Sequence, residues 1–373
     1  MQKSSPSLVN NPHYQQCTRC VMDTSAIEIS FDINGVCTYC LEAENELPNY
    51  QFTKTQEKNN LEELTKKIIN TNKNKYDSIL GLSGGVDSSY VAYLAWKMKL
   101  NPLCVHFDNG WNSEISVQNI HKIIENTGLD LETYVIDWPE FKDLQKSFLK
   151  AGVIDIEMLT DHAIFASLFK IRKQNKIKYV LSGTNYATEH GIPFSWIWPK
   201  MDKKNILSIH NKFGDKKIKS FPTMSYLRWE LMKRFRLGGE FIEILNLINF
   251  NKTKAMNTLK SVFDWNYYGG KHYESRFTKF YQAHILPNKF NVDKRKPHLS
   301  ALIRNNEINK KVALAELKKP LYKEQELKED LSYVIKKLDF LKEEFNMIMD
   351  SDPVSHYNYP NSRSFYKKIK DIF

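Results

Sequence analysis

A short stretch of glycine and hydroxyl residues has the composition of a phosphate-binding loop. Residues 82–89 read LSGGVDSS, between a short apolar run and an apolar-rich helical pattern. Two adjacent glycines let the backbone approach phosphate oxygens closely, and the following helix N-terminus offers free N–H groups with positive dipole character. This is not the Walker sequence, because no Gly-Lys-Ser/Thr follows. We expect nucleotide contacts from the loop residues Ser83, Gly84, Gly85, Ser88 and Ser89.

Four of the five cysteines form two CxxC pairs near the start of the chain, Cys17 with Cys20 and Cys37 with Cys40. Each pair places two thiolates on one tight turn, and two such pairs complete a closed tetrahedral Zn²⁺ site with no position for water. The predicted site is therefore structural. The same spacing leaves open an iron–sulfur cluster or redox dithiols. Cys104 lies inside an apolar run and is interpreted as a small core residue.

A regular alternation of strands and helices must position the loop. Helical patterns separate four short apolar runs, which we interpret as strands over residues 77–82, 102–107, 131–136 and 178–182. This alternation predicts βαβ units and an α/β fold with a parallel, doubly wound sheet covered by helices on both faces. The loop of residues 82–89 then joins the first strand to its helix.

The sequence predicts three parts. Residues 1–50 form the zinc module, residues 51–225 the nucleotide-binding domain, and residues 226–373 a mainly helical C-terminal region that completes the substrate site. The polar stretch over residues 42–60 is typical of a linker that leads into a helix. From Leu327 onwards the apolar positions recur in steps of three and four, which predicts one long helix packed against another helix. Those positions are Leu331, Val334, Leu338, Leu341, Phe345 and Ile348.

Composition and charge limit the function classes. The 373 residues carry a net charge of +11, with 42% hydrophobic residues. The charge suits an anionic partner such as a nucleotide or nucleic acid, but a lysine-rich compositional bias explains it equally well. No run of 18 apolar residues occurs, and the N-terminal residues lack the apolar core of a signal peptide. We expect a cytoplasmic protein without a membrane span.

The loop of residues 82–89 resembles the SGGxDS loop of the adenylating ATP pyrophosphatases, the PP-loop superfamily. The resemblance implies ATP and Mg²⁺ as cofactors, cleavage between the α- and β-phosphates, and a role for Asp87 in holding Mg²⁺. It also implies that the turn after the second strand borders the adenosine, with Asp108 as the candidate contact. A purely structural turn is the alternative for Asp108. Gly183 and Thr184, after the fourth strand, match a segment that contacts ATP in this superfamily.

A closer resemblance extends over residues 14–317. The segments CTRCVMDTS, SGGVDSS, VHFDNGWNSE, LSGTNYATEH and YGGKHYESR resemble the N-acetyl sugar amidotransferases of surface-polysaccharide synthesis. Members of that family convert an acetamido group on an activated sugar into an acetamidino group with ATP and ammonia. The resemblance implies a nucleotide-activated acetamido sugar as substrate. It also implies ammonia from a separate glutaminase with a cyclase-like partner protein.

Several polar residues of the second half are candidates for substrate contacts. Lys271, Lys294 and Arg295 are candidates for clamping pyrophosphate, with solvated surface cations as the alternative. His272, Glu274 and Arg276 are candidates for orienting the sugar or deprotonating ammonium, and the sequence does not choose among them. Two tryptophans are candidates for stacking on a ring or for core packing. They are Trp196 and Trp198.

Two other functions compete with the sugar amidotransferase. A PP-loop enzyme that adenylates tRNA shares the loop and would use the positive charge. Thiolation of tRNA normally needs a reactive cysteine pair beyond the loop, and here only Cys104 lies after residue 40. The absence of a concentrated basic arm in the tail also counts against RNA, so we expect no nucleic-acid partner. A noncatalytic zinc adaptor is disfavoured by the intact SGGVDSS and GTN segments.

Overall fold

The protein is described by a computed structural model over residues 14–71, 74–234, 239–270 and 273–363. Lys271 and His272 lie outside the described residues. The helices are α1 Thr38–Glu46, α2 Lys54–Thr71, α3 Val86–Lys97, α4 Glu114–Thr127, α5 Trp138–Ala151, α6 Met158–Gln174, α7 Tyr186–Glu189, α8 Lys203–Phe213, α9 Tyr226–Arg234, α10 Lys252–Phe263, α11 Arg276–Phe280, α12 Leu286–Phe290, α13 Arg295–Arg304, α14 Lys310–Leu317, α15 Glu324–Lys337 and α16 Lys342–Asp350. None of the helices in these ranges is long and apolar enough to cross a membrane.

A parallel sheet organises the first two-thirds of the chain. Its strands are β1 Ser78–Gly81, β2 Pro102–Asp108, β3 Leu131–Val135, β4 Tyr179–Ser182 and β5 Glu240–Glu243. They lie in the order β3-β2-β1-β4-β5, and every neighbouring pair is parallel. The chain moves outward from β1 to β3 and then returns to the other side of β1. The strand order therefore reverses between β1 and β4, where open α/β sheets bind ligands.

Helices cover both faces of the sheet, because successive strand residues point in opposite directions. On one face Leu80 packs with Val91 of α3, Ile120 of α4 and Leu259 of α10. On the other face Ile79 of β1 belongs to a cluster with β2, β4 and α6. The four strands predicted from the apolar runs and the doubly wound fold are confirmed.

The sheet continues past residue 225. Strand β5 has the sequence EFIE and pairs with β4, with Leu181 opposite Ile242. Ile242 alone of the four strand residues is buried. The other three residues are more exposed because β5 lies at the edge of the sheet. With a single buried residue, the sequence of β5 has too weak an apolar pattern to predict a strand. The predicted domain boundaries remain a prediction, but the sheet draws its last strand from the region expected to be helical.

The predicted long helix is wrong, because the chain turns in its middle. Helix α15 ends at Lys337 and α16 begins at Lys342, and Asp339 between them has a φ of 53°. Asp tolerates this left-handed conformation better than most residues. Val334, Leu338 and Phe345 still pack in the largest core cluster. The apolar spacing therefore identified the packed positions except Leu341, which is exposed beside the break, and it did not predict the break.

The cysteine module docks on the C-terminal helices. The Val21 N–H donates to Ser300 Oγ of α13 at 3.2 Å, and Lys310 Nζ of α14 donates to the Cys17 carbonyl at 2.5 Å. Lys296 Nζ lies 2.5 Å from a carboxylate oxygen of the buried Asp23. The stretch predicted as a linker is largely helical, since α1 ends within it and α2 starts within it.

Candidate active site

The glycine-rich loop joins β1 to α3 at the point where the strand order reverses. Side chains of neighbouring segments fix its backbone. The Gly84 carbonyl accepts hydrogen bonds from Trp265 Nε1 at 3.0 Å and from Asn119 Nδ2 at 3.3 Å. Ser83 Oγ accepts from the Gly85 N–H at 3.2 Å and lies 3.1 Å from Ser88 Oγ. These contacts fix the loop conformation before any ligand binds, which reduces the entropy cost of binding.

Two glycines are required by close backbone approach. Gly84 has a φ of +78°, and a Cβ there would lie 2.3 Å from the Ser116 carbonyl oxygen. A Cβ on Gly183 would lie 3.1–3.2 Å from backbone and Cβ atoms of Asp87 and from the Ser88 nitrogen. The turn after β4 therefore contacts the first turn of α3. The structure brings together the loop, Asp87 and Gly183, and their nucleotide contacts remain a prediction.

The other predicted nucleotide contacts differ in placement. Thr184 is exposed beside Gly183, and its N–H donates to Ser182 Oγ at 3.1 Å. Ser89 is fully buried on the inner face of α3, so its hydroxyl does not line the loop surface. The helical period turns Ser89 inward while Ser88 stays partly accessible.

Asp108 closes a turn at the end of β2. Its Oδ1 accepts from the Gly110 N–H at 2.8 Å and from Asn112 Nδ2 at 2.9 Å. These bonds match the structural-turn alternative, and the adenosine contact remains a prediction. His106 of the same strand, with Val105 and Phe107, lines the cavity described next, whereas Asp108 is not among its lining residues. The His106 Nδ1 lies 3.2 Å from the Leu82 carbonyl and its Nε2 3.0 Å from Asn112 Nδ2, which fixes a neutral tautomer. Burial lowers the pKa of His106 accordingly.

A cavity of about 450 Å³ opens beside the loop. The loop and the end of β2 form one side, including Ser83 and His106. Helix α6 with the segment before it, the segment before α8, and the C-terminal helices with their preceding segments form the other sides. They contribute Asp155, Glu157, Asp161, Lys200, Glu274, Thr278, Tyr281, Lys294 and His298. The backbone over Tyr281–Ile285 is a π-helical turn between α11 and α12. Such turns often occur at functional sites, and this one presents Tyr281 to the cavity.

An ion pair between the buried Asp155 and the half-buried Lys200 forms one wall of the cavity. Asp155 accepts from Lys200 Nζ at 2.9 Å and from the Trp198 N–H at 2.6 Å. Although burial opposes its ionisation, the charges of Lys200 and Lys294 keep the pKa of Asp155 below its usual value. Lys200 also lies 3.0 Å from Asp161. Lys200 therefore remains charged and fixed in place.

Two neighbouring groups titrate near neutrality. Burial raises the pKa of Glu157 to about 7, and its carboxylate accepts a hydrogen bond from Thr278 Oγ1 at 2.8 Å. Burial lowers the pKa of Lys294 to about 8, against the opposing charge of Asp155. A cavity that raises the pKa of one acid and lowers the pKa of one base is typical of proton-transfer chemistry.

The structure separates Lys294 from Arg295. Lys294 lines the cavity, whereas Arg295 points away from it. The Arg295 guanidinium binds Asp293 and donates to carbonyls at the end of α14 and just beyond it, including Leu317 at 3.2 Å. A cation at a helix C-terminus stabilises the helix dipole. The predicted pyrophosphate contact by Arg295 is not supported by this placement, because helix α13 begins there and turns the side chain toward α14.

Other candidates of the second half also have defined structural positions. Arg276 stacks on Tyr333 of α15 at 3.9 Å and pairs with Asp330, so it anchors the tail. Trp196 and Trp198 are buried, and their indole N–H groups donate to other protein groups. Core packing is thus the role seen for both tryptophans. Of the remaining candidates, Glu274 lines the cavity.

The four cysteines converge on one point, which fits a metal ion. All four are buried and free of disulfides, and their sulfurs lie within 4.8 Å of one another. The Sγ atoms of Cys20 and Cys37 are 3.6 Å apart, and those of Cys17 and Cys40 are 3.9 Å apart. A tetrahedron with Zn–S bonds of about 2.3 Å has edges of about 3.8 Å. The donor set and spacing therefore suit a four-coordinate metal site.

The residues that make the cavity distinctive were not predicted from the sequence. Asp155, Glu157 and Lys200 belong to no recognised motif and lie far from the loop along the chain. The signal available was the polar residues of an otherwise apolar segment, AGVIDIEML at residues 151–159, which precedes a helix. Buried carboxylates need partners, and such interruptions mark them.

Comparison with known proteins divides the chain into two matched regions. Residues 57–210 match the family model described as NAD synthase, and residues 274–372 match the one described as LPS biosynthesis protein WbpG-like, C-terminal domain. The uncharacterized protein MJ1599 of Methanocaldococcus jannaschii is 27% identical over 181 residues, which are 48% of this chain and 60% of that relative. The chain thus spans less than two-thirds of the relative's length.

Two solved structures are similar to part of the chain. The NMN synthetase of Francisella tularensis matches with 18% identity and a TM-score of 0.31, over 56% of this chain and 97% of that one. The NH3-dependent NAD synthetase of Campylobacter jejuni matches with 14% identity and a TM-score of 0.30, over 57% and 93%. Residues 57–210, with the glycine-rich loop and the parallel sheet, are thus similar to a PP-loop domain of the NAD synthase type, and residues 274–372 are similar to the C-terminal domain of WbpG-like LPS biosynthesis proteins.

Proposed function

We propose that this protein is an ATP-dependent N-acetyl sugar amidotransferase. It converts the acetamido group of a nucleotide-activated sugar into an acetamidino group and releases AMP and pyrophosphate. The coarser assignment, an ATP-using amidotransferase-type role in LPS biosynthesis, is supported by the two family matches. The sugar product would serve surface polysaccharide synthesis, with the reaction taking place in the cytoplasm.

One observation carries the proposal: a single cavity is lined by both matched regions. Ser83 and His106 belong to the NAD synthase match, whereas Thr278 and Lys294 belong to the WbpG-like match. A loop suited to phosphates therefore shares its cavity with side chains of a domain found in LPS biosynthesis proteins. Sites built where two regions meet are typical of enzymes with two substrates.

The chemistry explains why ATP is needed. An amide carbonyl is a poor electrophile. Attack of the amide oxygen on the α-phosphorus breaks the bond between the α- and β-phosphates, releases pyrophosphate and makes an O-adenylyl imidate, from which AMP is a good leaving group. Asp87, in the first turn of α3, is the carboxylate suited to Mg²⁺, which neutralises phosphate charge when bound. Lys294 adds a nearby cation, and Ser83 and Ser88 offer hydroxyl groups. Such a site acts mainly by positioning and charge stabilisation.

The cysteine module holds Zn²⁺ in this proposal and has a structural role. A four-thiolate site is closed, so no coordination position remains for substrate. Ammonia comes from a separate glutaminase with a cyclase-like partner protein. Cys104, the cysteine outside the module, lies within β2, and burial raises its pKa to about 12. A thiol so hard to ionise is unsuited to attack glutamine.

The test is mass spectrometry of a panel of nucleotide-activated acetamido sugars after incubation with the protein, MgATP and ammonium. We expect one sugar to lose about one mass unit, as NH replaces O, and to gain a positive charge, because amidines are strong bases like guanidinium. Formation of AMP and pyrophosphate should require that sugar.

A tRNA sample is the control substrate. Modification of tRNA with no change in any sugar would reject the proposal in favour of a tRNA-adenylating enzyme. A second reaction compares glutamine with ammonium as nitrogen source. Turnover with glutamine by the isolated chain would contradict the need for a separate glutaminase.

A further inference from the structure

We propose that Glu157 is the general base that takes a proton from ammonium at the amidation step. The inference rests on the proposed function and assigns a residue to its second half-reaction. Glu157 immediately precedes α6, and its side chain lines the same cavity as the glycine-rich loop. The group is therefore placed where a nucleophile must meet an activated substrate.

The carboxylates around the cavity are not equivalent. Asp155 is fixed by the Trp198 N–H and by Lys200, and these bonds occupy it as a structural anion. Asp161 pairs with Lys200 and remains 41% exposed to solvent. The contact identified for Glu157 is a single hydrogen bond from Thr278 Oγ1 at 2.8 Å. Among these three acids, Glu157 is the one that lines the cavity with an uncharged hydroxyl, rather than a lysine, as its identified partner.

The charges that face Glu157 are balanced. The elements packed around it carry two acids, two lysines and a tyrosine, namely Asp155, Asp161, Lys200, Lys294 and Tyr281. Lys200 is neutralised by its two acidic partners. Burial then dominates and raises the pKa of Glu157 to about 7. A base with a pKa near the working pH is the efficient one for proton transfer.

The step balances in atoms and charge. An N–H bond of ammonium breaks, and the proton passes to a Glu157 carboxylate oxygen. The freed nitrogen lone pair forms a bond to the imidate carbon. The bond between that carbon and the bridging oxygen then breaks, and AMP leaves with its electron pair. The amidine keeps the transferred nitrogen, and Glu157 returns its proton to solvent.

The experiment compares two nucleophiles in Glu157→Gln. Glutamine keeps the size of the side chain and an acceptor for Thr278, but it does not accept a proton. Hydroxylamine is uncharged at pH 7, so it attacks without prior deprotonation. We expect ammonium-dependent product at pH 7 to fall by about 100-fold. Hydroxylamine-dependent product and sugar-dependent pyrophosphate exchange should stay at the unsubstituted level. Equal loss with both nucleophiles, or no loss with ammonium, would overturn the inference.

A second pair of variants uses the pH profile. Thr278→Val removes the hydrogen bond that lowers the pKa of Glu157, so the acid limb of ammonium-dependent turnover should move to higher pH. Glu307→Gln is the matched control, because Glu307 also has a raised pKa from burial but does not line the cavity. Its profile should equal that of the unsubstituted protein. An unmoved acid limb in Thr278→Val would count against Glu157.

These readouts separate two kinds of failure. If the unsubstituted protein shows no sugar-dependent pyrophosphate exchange, the proposed function itself fails. If exchange is present but Glu157→Gln uses both nucleophiles normally, the function stands and the role of Glu157 is wrong.

Discussion

Gly84 shows how a single residue determines the loop geometry. Its φ is +78°, and a Cβ at this position would lie 2.3 Å from the Ser116 carbonyl oxygen, which leaves no space for a side chain. We expect Gly84→Ala to lower the free energy of unfolding by about 3 kcal/mol and to abolish ATP cleavage. Gly128→Ala is the matched control, since Gly128 has a φ of +69° but nothing within 4 Å. It should cost only about 1 kcal/mol, from the left-handed backbone conformation alone. Equal losses in urea unfolding would contradict the steric argument.

A substitution at Asp87 tests the chemistry of the same loop without changing its fold. It lies in the first turn of α3, against the turn that contains Gly183. We expect Asp87→Asn to reduce pyrophosphate formation by about 100-fold or more, because the carboxylate charge toward Mg²⁺ is lost. The circular dichroism spectrum should not change. Asp264→Asn, at an exposed helix end, is the control and should retain activity. An active Asp87→Asn protein would show that the phosphate site is misassigned.

The residues of this site that lie in one continuous motif could be predicted from the sequence. The LSGGVDSS segment contains both the glycines and the acid, so its chemistry is readable without a fold. Asp155 and Lys200 are 45 residues apart, and their pairing depends on how the chain folds. Glu157 carries no motif, and burial is the largest cause of its raised pKa. Such properties exist only in the folded protein.

At the scale of the elements, the start of α13 places two adjacent cations in different surroundings, and we expect them to have different roles. Lys294 faces the cavity, and Arg295 binds Asp293 and the carbonyls near the end of α14. We expect Arg295→Ala to lower stability by about 2 kcal/mol, because Asp293 and those carbonyls lose their partner. Lys294→Ala should instead raise KM for ATP or sugar with little loss of stability. Thermal unfolding and steady-state kinetics of both variants test this division, and the reversed pattern would refute it.

The cysteine module is an element that we expect a bound metal ion to stabilise. It shares the largest core cluster with the C-terminal helices and docks on α13 and α14 through Val21 and Cys17. We expect metal analysis to give about one Zn²⁺ per chain, and a strong chelator to lower the unfolding temperature. Cys20→Ser should have the same effect, whereas Cys104→Ser should leave the metal content unchanged. Protein purified without chelator that holds no metal would contradict the four-thiolate site.

The strands show which elements can be predicted from the pattern of hydrophobic residues and which cannot. Strands β1, β2 and β4 are buried runs and were predicted from them. Strand β5 is an edge strand with one buried residue, and only pairing with β4 makes it a strand. The break between α15 and α16 was missed for a related reason. Apolar spacing continues through Leu338 and Leu341, although Leu338 is buried and Leu341 is 73% exposed, and spacing alone does not report a turn.

At the scale of the whole molecule, the core is arranged so that charged and polar groups are buried with defined partners. The largest apolar cluster joins the cysteine module, α5, α8 and the C-terminal helices. Histidines inside this packing are held neutral. His162 donates from Nδ1 to the Lys200 carbonyl at 2.8 Å and accepts at Nε2 from the Met224 N–H at 3.1 Å. His356 contacts Asn205 at 2.7 Å and accepts from the Asp155 N–H at 3.4 Å. Protonation would remove one accepting nitrogen in each.

These histidines predict where the protein loses stability in acid. Burial lowers the pKa of His162 and of His356 to about 4, from 6.5 in the unfolded chain. Their folded pKa is depressed, so the stability they contribute is present above pH 6.5 and is lost as pH falls toward 4. Each should account for about 3 kcal/mol. The free energy of unfolding, measured in urea at pH 7.5, 6 and 5, should therefore decline steadily, before acids such as Asp155 begin to protonate.

His162→Gln should be less stable at pH 7.5, but its stability should decline less on acidification, whereas the variant at the exposed His121, His121→Gln, should follow the unsubstituted protein. Parallel declines for all three proteins would show that the buried histidine does not set the acid limit.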